Sequence, residues 1–248
     1  MQRREPKERT HMDNVEVLLF DVGGTVFDWD TAIVEALATT DVDRAHDLDR
    51  AAFSSAWRKQ SMIEMYDIAE LKSPWRPFGE FIESSLDVAL TACAIPTVSA
   101  SDRLVLLDAW RNMPVWPGAR RAIADLRRDF FVSPHTIIGL ADIAFSSKRA
   151  RVGWDAIISC DSLGVTKTNP ASYAAAISML GIPAERACYI AAHPVDLRAA
   201  REHGMRTAYV VAQLHDYGDD YVDTGFAREF DIVADDFADL ARQLARPG

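Results

Sequence analysis

Six short runs rich in β-branched and aromatic residues recur along the chain and constrain its fold more than any other feature. They are VEVLLF (Val15 to Phe20), FFVSPHT (Phe130 to Thr136), AIIS (Ala156 to Ser159), ACYIAA (Ala187 to Ala192), TAYVV (Thr207 to Val211) and FDIVA (Phe230 to Ala234). Stretches of helix length such as PGARRAIADLRR, NPASYAAAISML and PVDLRAAREHG separate most of them. Short strands alternating with amphipathic helices build βαβ units, whose parallel strands are covered by helices on both faces. The expected fold class is α/β, a doubly wound, Rossmann-like parallel sheet. Gly204 stands where a helix C-cap belongs, and Asp235 in VADDFADLARQL where an N-cap would.

One region breaks the alternation. Thr31 to about Asn112 is helically periodic almost throughout, contains no convincing strand, and returns to the core through PVWPG. It reads as a helical domain inserted after the first strand. The polar, proline-containing opening MQRREPKERTHM reads as a disordered tail. The expected organisation is a tail over residues 1–12, an α/β core over 13–30 and 114–248, and a helical domain over 31–113.

Bulk properties limit the function. The chain has 248 residues, 49% hydrophobic and 26% charged, enough for a full core plus a smaller unit. Its three cysteines, Cys93, Cys160 and Cys188, are odd in number and far apart, so neither a disulfide framework nor a zinc ligand set is expected. That usage, with no secretion signal and no apolar run of bilayer length, points to the cytoplasm and to no membrane partner. A formal charge of -10 argues against nucleic acid. An anionic small-molecule substrate would need particular basic residues to hold it against that field. Exposed apolar surface on the helical domain could support a homodimer.

The stretch LLFDVGGTVFDW poses the chemical question, because a buried strand there ends on the carboxylate of Asp21. An unpaired buried charge costs several kcal/mol, so Asp21 is either paired structurally or does chemistry. Ligands of an open parallel sheet bind beyond the carboxyl ends of its strands. The residues found there are Asp21, Thr136, Lys167 in GVTKTNPASY, and His193 and Asp196 after ACYIAA. Brought to one crevice, Lys167 would keep Asp21 ionised.

The order Asp-x-x-Gly-Thr, strand-end Ser/Thr, Lys, then a strand followed by Asp resembles the haloacid dehalogenase superfamily over nearly the whole chain from Val15 onward. The helical insertion resembles that superfamily's cap domain. Its phosphatases usually carry a second aspartate two residues after the nucleophile and an acidic residue four before the last Asp, where this chain has Gly23 and Ala192. The resemblance is therefore stronger to the metal-independent 2-haloacid dehalogenase branch. It implies no cofactor and no metal. Arg58 in AWRKQSMIEM matches the cap arginine that receives halide, Tyr173 follows Lys167 at the branch's spacing of six, and GMRTAYV resembles the strand after the fourth motif.

The implied roles follow. Asp21 would attack the halogen-bearing carbon to form an ester that water then hydrolyses. Lys167 would hold Asp21 ionised; Thr136 and the amides near Gly23 and Gly24 would bind the substrate carboxylate; Asp196 would position or activate the water; Arg58 would meet the halide. Tyr173, His193 and Ile137 complete the expected substrate site. The chain departs from the branch at Ile137 and Ile138, which replace Asn-Gly, at Ala191 and His193, which replace Ser and Asn, and at Gly23, which replaces Tyr and is expected to enlarge the pocket.

Each residue has a plainer reading. Asp21 could cap a turn, Lys167 could be an ordinary loop lysine, Asp196 could be the N-cap of its helix, and Arg58 could face solvent. Thr136 could satisfy local amides, His193 could be a turn residue before Pro194, and the six tryptophans suit packing better than a binding box. Three functions compete: hydrolysis of a small 2-halo carboxylic acid, phosphoryl hydrolysis on the same fold, and a catalytically weak homologue with a binding role.

Overall fold

The computed structural model describes residues 12, 14–95, 98–211 and 229–245, so the expected tail over 1–12 lies outside them apart from Met12. Among the described residues six strands form one parallel sheet: β1 (Val17–Phe20), β2 (Phe131–Thr136), β3 (Ile158–Ser159), β4 (Ala187–Ala191), β5 (Arg206–Val210) and β6 (Ile232–Ala234). Their order is β3-β2-β1-β4-β5-β6. Each expected strand is present, shifted or trimmed at its ends by one or two residues. Both faces of β1 are buried: Leu18 and Phe20 enter one apolar cluster, Val17 and Leu19 the other. That double burial explains why the strand reads as an unbroken apolar run rather than an alternation.

The chain builds outward from β1 on one side through β2 and β3, then crosses to β4 and continues through β5 and β6. The reversal flanking β1 opens a crevice beyond the carboxyl ends of β1 and β4. Asp21 follows β1 directly, and His193 and Asp196 open the helix after β4.

From β1 the chain enters an all-helical stretch comprising α1 (Trp29–Ala38), α2 (Asp41–His46), α3 (Arg50–Ala69), α4 (Phe78–Ala92), α5 (Ala100–Asp108) and a 3-10 turn at Ala109–Arg111. Asp28 caps α1 by accepting the Thr31 amide at 3.0 Å, so the helical stretch begins two residues before the expected Thr31. The outgoing and returning chains pair: Asp28 N donates to Pro114 O at 2.8 Å and Trp116 N to Val26 O at 2.9 Å. The Trp57 ring forms the centre of the α3 and α4 packing, with its indole N–H donating to Ile82 O at 3.1 Å.

The remaining helices cover the sheet: α6 (Ala119–Leu126), α7 (Leu140–Ala150), α8 (Cys160–Leu163), α9 (Pro170–Leu180), α10 (Pro194–Glu202) and α11 (Phe237–Leu244). Gly204 ends α10 with φ of +82°, the left-handed conformation that glycine adopts without cost. Two expected caps are corrected. The N-cap of α11 is Asp236, whose side chain accepts from the Asp239 amide; Asp235 lies one residue too early and gives its own amide to Asp239. The N-cap of α10 is His193, and Asp196 falls in the helix's first turn, because Pro194 fits the first helical position and starts the helix sooner. No helix among the described residues is long and apolar enough to cross a membrane, and the three cysteines are free.

Among the polar ties that join the helical stretch to the sheet side of the molecule, two involve α3 and α4. The Phe78 amide, which Pro77 leaves uncapped at the start of α4, donates to Asp161 Oδ1 at 2.8 Å. Asn169 Nδ2 donates to Ala69 O, at the end of α3, at 2.9 Å. Asp161 thus caps a helix remote in sequence. Replacing Asp161 by Ala should cost about 1 to 2 kcal/mol, the usual loss for a helix cap, with little change in the urea m-value; equilibrium unfolding measures both.

Candidate active site

Asp21 is buried at the tip of β1, and its two oxygens meet different partners. Lys167 Nζ donates to Oδ1 at 2.7 Å. Thr25 Oγ1 donates to Oδ2 at 2.6 Å, and His193 Nδ1 lies 2.9 Å from the same oxygen. Since a carboxylate only accepts, Nδ1 carries the hydrogen of that bond. Thr25 is itself fixed by the Ala192 amide, which donates to its Oγ1 at 3.0 Å. The turn that places Thr25 runs through Gly24 at φ +84°, which lets the chain double back.

Lys167 is equally buried, and its ammonium is surrounded. Besides Asp21 it donates to His135 O at 3.2 Å and to Tyr189 Oη at 3.1 Å, and it stands 3.3 Å from Asp196 Oδ2. The Tyr189 hydroxyl in turn lies 3.0 Å from His135 Nδ1, and His135 Nε2 lies 2.9 Å from Ser172 Oγ. Tyr173 donates to Asp196 Oδ1 at 2.5 Å.

These contacts set the charges. Burial pushes the Asp21 carboxyl up, but the Lys167 charge and the bonds from His193 and Lys167 outweigh it and hold the group well below the usual carboxylate range. Burial works against charge on Lys167 as well, yet Asp196 and Asp21 together hold it well above the ordinary lysine value. Asp196 shifts the other way: burial raises it, Lys167 opposes from a longer distance, and the Asp21 charge adds to the rise. His135 is driven well below its ordinary value by burial and by the Lys167 charge, so it is neutral packing beneath the site.

A cleft with a cavity volume of about 40 Å³ opens over Asp21, room for a few water-sized groups. Of the expected site residues, Asp21, Gly23, Arg58, Thr136, Ile137, Lys167, His193 and Asp196 line it. Arg58 comes from α3, is buried, and lies with its guanidinium carbon 5.1 Å from the centre of the Trp29 ring. It does not face solvent. Thr136 accepts the Ile138 amide on its hydroxyl oxygen at 3.1 Å.

Three expectations are corrected. The Gly24 amide donates to Phe27 O at 2.9 Å, so it is committed to the turn rather than to a substrate. Tyr173 does not line the cleft and acts on it through Asp196. Gly23 does not enlarge the pocket, because Ile138 Cδ1 lies 3.2 Å from where a side chain at 23 would begin and fills that space. Trp29 and Trp110 also line the cleft, so two of the six tryptophans serve the site as well as the packing. Sequence reasoning gave no role to Thr25 or Tyr189 and named Ile138 only as a departure from the branch. Thr25 was visible as the threonine of Asp-x-x-Gly-Thr, whereas nothing in a strand interior marks Tyr189 as a partner of Lys167.

Asp21, His193 and Asp196 place three ligand-type atoms within 4.8 Å of one another. They do not suit a resident divalent cation, because the Lys167 ammonium already lies between the two carboxylates and would repel it.

Comparison with known proteins accords with this arrangement. A family model for haloacid dehalogenase-like hydrolases matches residues 15–204, and the chain belongs to that family. It is 25% identical over 205 residues to (S)-2-haloacid dehalogenase 1 of Pseudomonas sp. (strain CBS-3), covering 80% of this chain and 86% of that one. It is 24% identical over 210 residues to (S)-2-haloacid dehalogenase 4A of Burkholderia cepacia, covering 82% and 85%. Among solved structures, the L-2-haloacid dehalogenase PA0810 superposes with a TM-score of 0.83 at 26% identity, covering 93% of this chain and 100% of that one. The defluorinating L-2-haloacid dehalogenase Rha0230 does so at 0.84 and 28%, covering 93% and 95%.

The buried charges predict two stability effects. Replacing Lys167 by Met should cost about 3 to 5 kcal/mol, since it leaves two buried carboxylates without their cation. Because the folded Asp21 value lies below its unfolded one, its contribution is complete above the unfolded value and is lost as pH falls through the acid range below about 3.9. Asp21→Asn should therefore flatten the acid limb of stability against pH, which urea unfolding from pH 2 to 5 tests.

Proposed function

We propose that the protein is a hydrolase that removes halide from a small 2-halo carboxylic acid through an ester on Asp21. The observation that carries this reading is the buried 2.7 Å contact between Lys167 Nζ and Asp21 Oδ1 at the floor of the cleft. It keeps a carboxylate ionised away from bulk water, where it is a stronger nucleophile. In line attack on the halogen-bearing carbon would expel halide and leave the ester. Water would then attack the ester carbonyl carbon and release the 2-hydroxy acid.

The cleft supports a small, partly apolar substrate. Met62, Met65, Trp110 and Ile138 form much of its wall, and its volume of about 40 Å³ disfavours long chains. Arg58 and Thr136 line the cleft, and in this reading they would receive the departing halide and the substrate carboxylate. A carbon–halide bond suits the site better than a phosphate ester, because phosphoryl transfer depends on a cation to gather developing charge and Gly23 offers no acid for a leaving group. A fluorinated acid belongs in the substrate panel because one relative is named as defluorinating.

Halide release from 2-chloropropionate and fluoroacetate in the presence of a metal chelator tests the reading. Turnover is expected, and Asp21→Asn should reduce it roughly 10⁴-fold or more while leaving the fold intact. Phosphate release from phosphate esters with magnesium, and no halide release, would replace this reading with the phosphatase. Failure of both would favour the binding homologue.

A further inference from the structure

We propose that His193 is the proton-transfer residue of the ester-hydrolysis step, in place of Asp196. The inference rests on the aspartyl-ester reading above and assigns a catalytic role within it.

The two Asp21 oxygens are not equivalent. Oδ1 faces the Lys167 ammonium at 2.7 Å, whereas Oδ2 has His193 Nδ1 at 2.9 Å. Asp196 is poorly free to act as a base: Tyr173 holds its Oδ1 at 2.5 Å and Lys167 stands 3.3 Å from its Oδ2. Protonating it would also discharge one half of a buried ion pair. Among the described groups that touch Asp21, Lys167 is held protonated and Thr25 is an alcohol. The imidazole alone can both take and give a proton at ordinary pH. His193 is also the N-cap of α10, yet its side chain makes no cap hydrogen bond and reaches Asp21.

The steps then balance. In this proposal the cycle starts with both ring nitrogens of His193 protonated and Nδ1 donating to Oδ2. As Oδ2 displaces halide, the Oδ2–carbon bond forms, the carbon–halogen bond breaks, and halide leaves with its electron pair. Asp21 loses the negative charge that held the proton on Nδ1, and that proton passes to solvent. The oxygen of a water adds to Asp21 Cγ while Nδ1 takes one of its protons, and negative charge gathers on Oδ1 against Lys167. Collapse breaks the Cγ–Oδ2 bond, and the proton on Nδ1 moves to Oδ2, which departs as the product hydroxyl. The second water proton returns to Nδ1 as the carboxylate reforms. The sum is one haloacid and one water giving one hydroxy acid, one halide and one proton.

His193→Gln tests this, since glutamine retains an N–H donor but cannot shuttle a proton and does not restore the asparagine usual at this position. Rapid-quench mass spectrometry with 2-chloropropionate should show one equivalent of halide released per chain, then a steady rate lowered about 100-fold or more, with a carboxyethyl ester persisting on the Asp21 peptide. Added imidazole should speed loss of that ester. Wild-type protein should release halide steadily without the burst. Should the Gln variant not fold, His193→Met takes its place. Ester hydrolysis at the wild-type rate in a folded variant would overturn the role, and so would a folded variant that forms no ester while the wild type turns over. Absence of halide release by the wild-type protein would instead remove the aspartyl-ester reading itself.

Discussion

The buried contact between Asp21 and Lys167 governs the rest of the molecule. The two residues are 146 positions apart, and only the sheet order brings them together beyond its carboxyl edge. Removing an ammonium from water costs several kcal/mol, and attraction to a carboxylate offsets that only when the remaining protons are also bonded. Lys167 meets that condition, with its other contacts supplied by His135 O, Tyr189 and Asp196. His135 on β2, Tyr189 on β4 and Ser172 on α9 thus form the polar support of one cation. Its depth in the core also fixes where Asp21 can point.

The helical stretch finishes what the sheet begins. The loops and the helix start beyond the sheet's carboxyl edge supply both carboxylates, the ammonium and the imidazole. From α1 and α3 come Trp29, Met62, Met65 and the guanidinium of Arg58. A chain of charge -10 repels small anions on average, so an anionic substrate depends on these two enclosed cations. Their effect is strong because the walls are apolar and the local dielectric is low. The ties at Asp161 and Asn169 matter for the same reason: they hold the apolar wall over the charged floor.

Much of this was legible in the sequence, for identifiable reasons. Strands buried on both faces read as apolar runs, and the ends of such runs marked Asp21, Thr136 and the loop carrying His193 and Asp196. The helical insertion was legible from periodicity alone. What stayed hidden was chosen by tertiary contact. Tyr189 reads as one more strand aromatic, and only the fold aims its hydroxyl at Lys167. Gly23 reads as vacated space until Ile138 is seen filling it. Asp235 and Asp236 are both acceptable caps by type, and the end of β6 selects the second. The Gly24 amide looked available until its bond to Phe27 was found.

The departures from the dehalogenase pattern are better understood together than singly. A site losing its function would be relieved of its buried charges, because replacing a buried ion pair with apolar groups of similar volume often stabilises a protein by about 1 to 4 kcal/mol. Here the charged set is intact and fully bonded, and the changed positions answer one another. Ile138 occupies the space beside Gly23, and the imidazole of His193 reaches Asp21 where an amide is usual. Residues that break a local rule while gaining a specific partner mark a working site. That mutual fit favours a rearranged enzyme over a homologue that only binds. It also gathers the changed positions Gly23, Ile138 and His193 around the Asp21 carboxyl.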